Sequence, residues 1–165
     1  KTIKYAVLSS PFSQYLSKNN IMVLRSGEKV KTSTMLIENE LKKTLGELKN
    51  MGIIPIVFSP PPGNGSNLGR CLIRAEYFGR NLDKCDFLLD SMSQIRIDTY
   101  HVLESISKEY SVLLLNKFLC NKLICRTHIG STFIYRDRGH LSHEGSALLG
   151  RELGFYKLIT GKEHD

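Results

Sequence analysis

The chain has 165 residues, of which 41% are hydrophobic and 24% charged, a composition typical of one globular domain and unlike disordered or fibrous proteins. Its net charge of +7 fits either a basic surface without a specific role or attraction to nucleic acid, anionic lipid or an acidic glycan. The basic residues are spread along the chain without a run of five, which argues against a nucleic acid partner. The apolar runs are far shorter than the ~20 residues that cross a bilayer.

The first third of the chain predicts a strand, a surface hairpin, a helix and a second strand. Ile3–Leu8 is a compact apolar run, and the polar stretch that follows indicates a loose hairpin around Ile21–Leu24. Apolar residues then recur on one helical face, and Gly52 is placed to cap that helix. Ile53–Phe58 has the length and β-branching of a buried strand, in which Pro55 is tolerable near the start. The helical face consists of Ile37, Leu41, Leu45 and Leu48.

The rest of the chain continues the alternation. The Pro- and Gly-rich loop Ser59–Asn67 follows the carboxyl end of a strand, where ligands bind in open α/β sheets, although the sequence alone favours a simple connector. A helix is predicted from about Asp86 to Tyr110, then a strand at Ser111–Leu115, an irregular segment Asn116–Ser131, and a last helix with Ser142 as its N-cap. This order predicts one α/β domain over residues 1–165, a three-layer α/β/α sandwich of the flavodoxin-like kind with a mainly parallel sheet.

The chain contains four cysteines, an even count that suits two disulfides or four buried thiols. No Cys-x-x-Cys occurs, so no zinc site is predicted. Cys120 and Cys125 enclose a short loop that a disulfide could close in an oxidising compartment. Spacing alone leaves disulfides and free thiols equally open.

One histidine stands in a pattern that suggests chemistry. His140 lies in a loop just before a helix, three residues after Asp137. A carboxylate at that distance can fix the imidazole tautomer through Nδ1–H and stabilise the imidazolium of an acyl-transfer site. Asp-x-x-His is common, and a surface aspartate beside a helix-flanking histidine fits it equally well. His101 falls inside a predicted helix, His128 has no identifiable partner, and His164 is near the terminus.

The segment Tyr135–Ser146, in which Asp137 and His140 are followed by Leu-Ser and a Gly-small-residue helix start, resembles the last block of SGNH hydrolases. It is most similar to the SGNH domains fused to the C-terminal end of acyltransferase family 3 membrane proteins, the OafA-type O-antigen O-acetyltransferases. The Pro-rich loop that leads to Cys71-Leu72, and the close cysteine pair ahead of the Asp-His block, also resemble this family. The resemblance extends over most of the chain, but only the last block is specific.

The sequence departs from the family pattern in two places. The nucleophile block Gly-Asp-Ser is absent, and Ser9 and Ser10 after the first strand lack its glycine and aspartate. We therefore expect the serine, and the first strand of the sheet, upstream of Lys1, which makes this chain the C-terminal part of a larger protein. The oxyanion blocks are also not matched by Asn64 and Asn67, although backbone N–H groups after the first strand could serve that role.

The resemblance implies acyl transfer in two steps. The membrane domain of acyltransferase family 3 would bring an acyl group from a donor such as acetyl-CoA across the inner membrane. This domain, without a cofactor of its own, would pass it through an acyl-serine to a hydroxyl of lipopolysaccharide or a related glycan. Asp137 and His140 would complete the triad, at the carboxyl edge of the sheet beside the Ser59–Asn67 loop. The implied location is the periplasmic face of the inner membrane, and with the even cysteine count it predicts disulfides Cys120–Cys125 and Cys71–Cys85.

Three other functions fit parts of the sequence. The same site could act as an esterase that releases acetyl groups from a glycan, because transfer and hydrolysis differ only in what reaches the acyl-serine. A glycan-binding module with a degenerate site would explain the missing nucleophile block. A nucleotide-binding flavodoxin-like domain is disfavoured because no Gly-rich phosphate loop occurs.

Overall fold

The structure, a computed structural model, describes residues 3–10, 12–17 and 20–162. The α/β class predicted from the sequence is confirmed, because strands and helices alternate and the main sheet is parallel. The strands are β1 Tyr5–Ser9, β2 Ile21–Val23, β3 Lys29–Lys31, β4 Ile54–Phe58, β5 Phe87–Leu88, β6 Ser111–Leu113, β7 Ile124–Cys125, β8 His128–Ile129 and β9 Thr132–Phe133. The helices are α1 Thr34–Asn50, α2 Leu68–Tyr77, α3 Gln94–Ile106, α4 Asn116–Leu119, α5 His143–Glu152 and α6 Phe155–Thr160.

The chain divides into two compact units, each built from two stretches of sequence. The first unit comprises Lys1–Pro60 and Gln94–Leu114, and the second comprises Pro61–Ser93 and Leu115–Asp165. A single domain over residues 1–165 stays a prediction. Within the described residues, no helix is long and apolar enough to cross a membrane.

The first unit contains a parallel sheet of strand order β1-β4-β6. The three strands predicted from the sequence are confirmed, with their ends moved by one or two residues. Pro55 lies in the central strand, yet it costs no ladder hydrogen bond. The N–H of Ile54 donates to Lys4 on the β1 side, and Pro55 faces the other neighbour, β6, whose pairing begins only at Ile56.

Helices α1 and α3 pack together in the first unit, and each contacts a strand of its sheet. Ser33 caps α1 by accepting the N–H of Leu36 at 3.1 Å, and the buried Ile37 and Leu45 confirm the apolar face predicted for this helix. The predicted hairpin is the antiparallel pair β2–β3. The hydroxyl of Tyr100 in α3 donates to the carbonyl of Pro60 at 2.8 Å. This hydrogen bond connects α3 to the residues that directly follow β4.

The second unit has its own hydrophobic core, and two disulfides reinforce it. Cys71–Cys85 joins α2 to the 3₁₀ turn Leu82–Cys85, and Cys120–Cys125 closes the loop between α4 and β7. Both predicted disulfides are therefore confirmed. The buried side chains of this core are Leu68, Leu72, Ala75, Cys85, Phe87, Leu115, Leu119, Cys125, Ile134, Tyr135 and Leu149.

The helix predicted from about Asp86 to Tyr110 is wrong in its first part. α3 begins only at Gln94, because residues 86–93 make tertiary hydrogen bonds that a helix could not make. Phe87 and Leu88 pair with β7 as strand β5, and the N–H of Leu89 donates to the carbonyl of Leu123 at 2.8 Å. The apolar spacing of this stretch resembles that of a helix, but long-range pairing determines its backbone conformation.

Candidate active site

A closed loop between β9 and α5 holds the Asp-His motif. Its two arms pair, because the N–H of Arg136 donates to the His140 carbonyl at 3.0 Å and Tyr135 forms an antiparallel bridge with Leu141. The N–H of Ser142 then donates to the Ile134 carbonyl at 2.8 Å. The loop is therefore fixed at its base by main-chain hydrogen bonds, which are independent of the side chains at its tip.

The start of α5 is fixed against the same arms. As predicted, Ser142 is the N-cap: its hydroxyl oxygen accepts the N–H of Gly145 at 2.8 Å, and it donates to the Phe133 carbonyl. Gly145 is required here for closeness of approach, because a Cβ would lie 2.6 Å from the Cα of Ile134. Cap and glycine together place the helix directly after His140.

Asp137 organises the tip of the loop. Its Oδ1 accepts the backbone N–H groups of Gly139 and His140, each at 2.9 Å. The N–H of Gly139 is the main cause that holds the pKa of the Asp137 carboxyl well below its usual range. The ring and the N–H of His140 act in the same direction, and partial burial opposes them. Asp137 is therefore ionised at neutral pH, as the acid of a triad has to be.

His140 points one ring nitrogen at this carboxylate. Nδ1 lies 2.9 Å from both Oδ1 and Oδ2 of Asp137. Because an ionised carboxylate only accepts hydrogen bonds, Nδ1 carries a hydrogen, and in the neutral imidazole Nε2 is therefore the nitrogen with the lone pair. No described residue forms a hydrogen bond with Nε2, and the side chain is 68% exposed. The pair can therefore take up a proton at Nε2 while the carboxylate stabilises the imidazolium that results.

Two segments of the second unit support the Asp-His loop. The buried hydroxyl of Tyr135 donates to the Pro62 carbonyl at 2.8 Å. The part of the predicted loop 59–67 that belongs to this unit, residues 61–67, therefore lies beside the Asp-His loop. Helix α2 also begins against it, since a Cβ at Gly69 would collide with the carbonyl of Arg136. The position of Asp137 and His140 relative to the parallel sheet stays a prediction.

The family model for SGNH domains fused to AT3 domains matches residues 1–154 of this chain. The chain belongs to this family of SGNH domains. Among solved structures, the periplasmic domain of the lipopolysaccharide acetyltransferase of Salmonella ser. Paratyphi A is similar, with a TM-score of 0.63 and 18% identity over 93% of this chain. The match covers 56% of that solved chain, and it shows that the two share a fold. No curated protein matches the chain.

The other sequence candidates of this SGNH domain have structural roles or lie in the first unit. Asn64 accepts the N–H of Ser66, and Asn67 caps α2 by accepting the N–H of Arg70 at 2.9 Å, so both amide oxygens are used within turns. Ser9 and Ser10 line a largely apolar cavity of about 430 Å³ in the first unit. A nucleophilic serine therefore stays unassigned within the described residues.

A second Asp-His pair was missed in the sequence. His128 was described there as lacking a partner, but its Nε2 lies 3.1 Å from Oδ1 of Asp83 and its Nδ1 lies 2.8 Å from the Gly130 carbonyl. Asp83 precedes His128 by 45 residues, so no local pattern could reveal the contact. Together with Asp86, these residues bring three possible metal ligands within 4.8 Å of one another. Asp86 already accepts two hydrogen bonds from Thr127, so hydrogen bonding alone accounts for the arrangement.

Proposed function

We propose that this SGNH domain takes part in the transfer of an acyl group, such as acetyl, to a hydroxyl of a bacterial surface glycan such as lipopolysaccharide O-antigen. The observation that carries this is His140, whose Nδ1 lies 2.9 Å from an ionised carboxylate and whose side chain is largely exposed. Membership of the SGNH family supports acyl chemistry. The fold shared with the periplasmic domain of a lipopolysaccharide acetyltransferase supports the glycan acceptor.

In the proposed reaction His140 acts as general base and then as general acid. Nε2 takes the proton of a serine hydroxyl, the serine oxygen attacks the acyl carbonyl, and Nε2 returns the proton to the departing group. In the second half the acceptor sugar hydroxyl gives its proton to Nε2 and attacks the acyl-serine. The serine oxygen leaves and recovers the proton. Asp137 stays ionised throughout and stabilises the imidazolium in both halves.

The remaining parts of the reaction are assigned to segments outside residues 1–165. These residues contain no Gly-Asp-Ser, so we place the nucleophile on another segment. The acyl donor, such as acetyl-CoA, is used by an acyltransferase family 3 membrane domain, which is the proposed partner. The two disulfides of the second unit suit an oxidising compartment, and they support a location at the periplasmic face of the inner membrane.

Hydrolysis is a second candidate because the side chain of His140 is 68% exposed. Water can reach an acyl-serine held beside such a base, and the product is then free acetate rather than an acetylated glycan. Measuring acetate and acetylated glycan in the same reaction distinguishes an esterase from a transferase.

The test is to trap the acyl-enzyme. A protein that joins the Gly-Asp-Ser segment to residues 1–165 is incubated with 4-nitrophenyl acetate, quenched in acid and digested for mass spectrometry. We expect one acetyl group on the serine of that block, and its loss when a glycan acceptor is added. Residues 1–165 alone should remain unmodified. If the extended, folded protein binds glycan but never carries acetyl, the domain is the non-catalytic binding module.

A further inference from the structure

A cavity in the second unit of the SGNH domain is lined by positive charge. Its volume is about 610 Å³, and it lies between α2 and the residues that follow this helix up to Cys85. No acidic side chain lines it among the described residues. The cationic side chains around it are Arg70, Arg74, Arg80 and Lys84.

The acidic side chains of the same elements do not neutralise these cations. Glu76 lies on α2 and Asp83 lies in the 3₁₀ turn, but neither lines the cavity. The carboxylate of Asp83 bonds to His128 instead. Within the described part of the chain, no ion pair involves any of the four cations, so their charge is available to a ligand.

The arrangement of the cations is unfavourable without an anion. Arg70 and Arg74 are four residues apart on α2, a spacing that brings like charges together on one helical face. The guanidinium of Arg80 lies 5.3 Å from the centre of the exposed Phe78 ring, so an aromatic surface adjoins the charged cavity. An anionic group in the cavity would remove the repulsion between the arginines.

The wall of the cavity is cross-linked, and one end of it adjoins the residue that contacts the Asp-His loop. The disulfide Cys71–Cys85 forms part of its wall and ties α2 to the turn that carries Lys84. Arg70 follows Gly69 directly, and Gly69 packs against the carbonyl of Arg136, next to Asp137. Arg70 therefore follows directly the residue of α2 that contacts the loop that holds His140.

We propose that this cavity binds the phosphate group of a phosphorylated saccharide, and so selects an anionic glycan as acceptor. Arginine guanidinium groups match the geometry of phosphate oxygens with paired hydrogen bonds. The amide oxygens of Asn67 and Asn81 are used as helix caps, which leaves their NH₂ groups to donate to sugar hydroxyls. The choice of acceptor rests on the proposed function, whereas the binding itself does not.

A membrane phosphate is the other source of the same chemistry. A lipid headgroup presents phosphate on a broad surface, whereas the four cations here surround a concave cavity with amide groups at its edge. The concave shape favours a sugar phosphate, and vesicles provide the test of the alternative.

Binding of glucose 1-phosphate to residues 1–165 by isothermal titration calorimetry tests the inference. Glucose, inorganic phosphate, glucuronic acid, and vesicles containing an anionic phospholipid are the comparison ligands. We expect glucose 1-phosphate to bind more tightly than inorganic phosphate, and glucose to show no binding. Arg74→Gln should weaken binding about tenfold. Arg151→Gln removes the same charge at an exposed position of α5 outside the cavity and should leave binding unchanged.

Each other outcome overturns the inference. Equal weakening by Arg151→Gln would show that only net charge matters. If glucuronic acid binds as tightly as glucose 1-phosphate, the cavity recognises a negative charge in general and not a phosphate group. Vesicle binding that depends on Arg74, without binding of glucose 1-phosphate, would assign the cavity to a membrane surface. Binding of glucose 1-phosphate is measured without turnover, and acetylation of the serine by 4-nitrophenyl acetate is measured without glycan, so failure of binding remains distinct from failure of the catalytic assignment.

Discussion

The second unit contains two aspartate–histidine pairs that share their chemistry but differ in what they leave free. Asp137 bonds to Nδ1 of His140, whose side chain is 68% exposed. Asp83 bonds to Nε2 of His128, whose Nδ1 bonds to the carbonyl of Gly130 and whose side chain is only 15% exposed. One imidazole keeps a nitrogen for a proton from outside, and the other has both nitrogens occupied. The second ring nitrogen, which bonds to a carbonyl in His128 and to no described residue in His140, therefore distinguishes the structural pair from the proposed catalytic pair.

The largest expected effect on ester hydrolysis comes from removing each of the two imidazoles in turn. In the protein that includes the serine block, His140→Ala removes the base and should lower the rate of 4-nitrophenyl acetate hydrolysis by ~10³-fold or more. His128→Ala is the matched control and should retain that rate within a few-fold. Initial rates of hydrolysis at pH 7.5 compare the two variants. Equal losses in the two variants would mean that His140 has no special role and that both act through folding.

The next largest effect is expected where α2 supports the Asp-His loop. Gly69→Ala forces a methyl group into the Arg136 carbonyl, so the free energy of unfolding should fall by about 1–3 kcal/mol. The matched control is Gly150→Ala in α5, where the added Cβ meets only a Phe155 ring carbon at 3.9 Å. This change should be neutral or stabilising by up to about 1 kcal/mol. Urea denaturation of residues 1–165 measures both free energies of unfolding. If Gly69→Ala leaves this free energy unchanged, α2 does not support the Asp-His loop.

The low pKa of the Asp137 carboxyl predicts a pH dependence of stability. Its folded-state pKa is lowered, so ionisation contributes stability that is fully present above the ordinary value of about 3.9 and is lost as the pH falls below it. Asp137→Asn should therefore lie below the original protein in unfolding free energy by a constant amount above about pH 5. That difference should narrow toward pH 3. A difference that is the same at pH 3 and pH 7 would show that the charge of Asp137 contributes nothing to folding.

The smallest effect is expected at the structural pair. Asp83 is 69% exposed, and exposed ion pairs contribute roughly 0–1 kcal/mol. Asp83→Asn should therefore change the free energy of unfolding by less than about 1 kcal/mol and leave ester hydrolysis unaltered. Urea denaturation and initial rates of the extended protein measure the two quantities. A large loss of stability or of hydrolysis rate would show that the contact between Asp83 and His128 has more than a minor structural role.

The difference between the two pairs also explains what the sequence could predict. Asp137 and His140 are three residues apart, so one turn brings them together and the pattern is visible in the chain. The contact between Asp83 and His128 depends on tertiary structure, and the sequence contains no sign of it. The parallel strands were predictable because their apolar runs are local. The start of α3 was not, because pairing of β5 with β7 determines the conformation before Gln94.

The cavity lined by Arg70 and Arg74 could not be predicted for a related reason. The basic residues are spread along the sequence, and a net charge of +7 does not say which of them meet. Only the fold brings Lys84 to the same cavity, through the disulfide between Cys71 and Cys85. The resemblance to the SGNH family suggested the disulfides, but it contained nothing about the charges around them.

The hydrogen bonds of Asp137 have an evolutionary consequence. The same carboxyl oxygen that bonds to the ring of His140 also accepts the N–H groups that close the turn. The carboxylate, the imidazole and the N–H groups that close the turn are thus contained in four consecutive residues, Asp137–His140, which are inherited together. Insertions elsewhere in the gene would leave these four residues intact, whereas a mutation that removes the Asp137 carboxyl would remove both the hydrogen bond to the His140 ring and those to the two N–H groups at the loop tip.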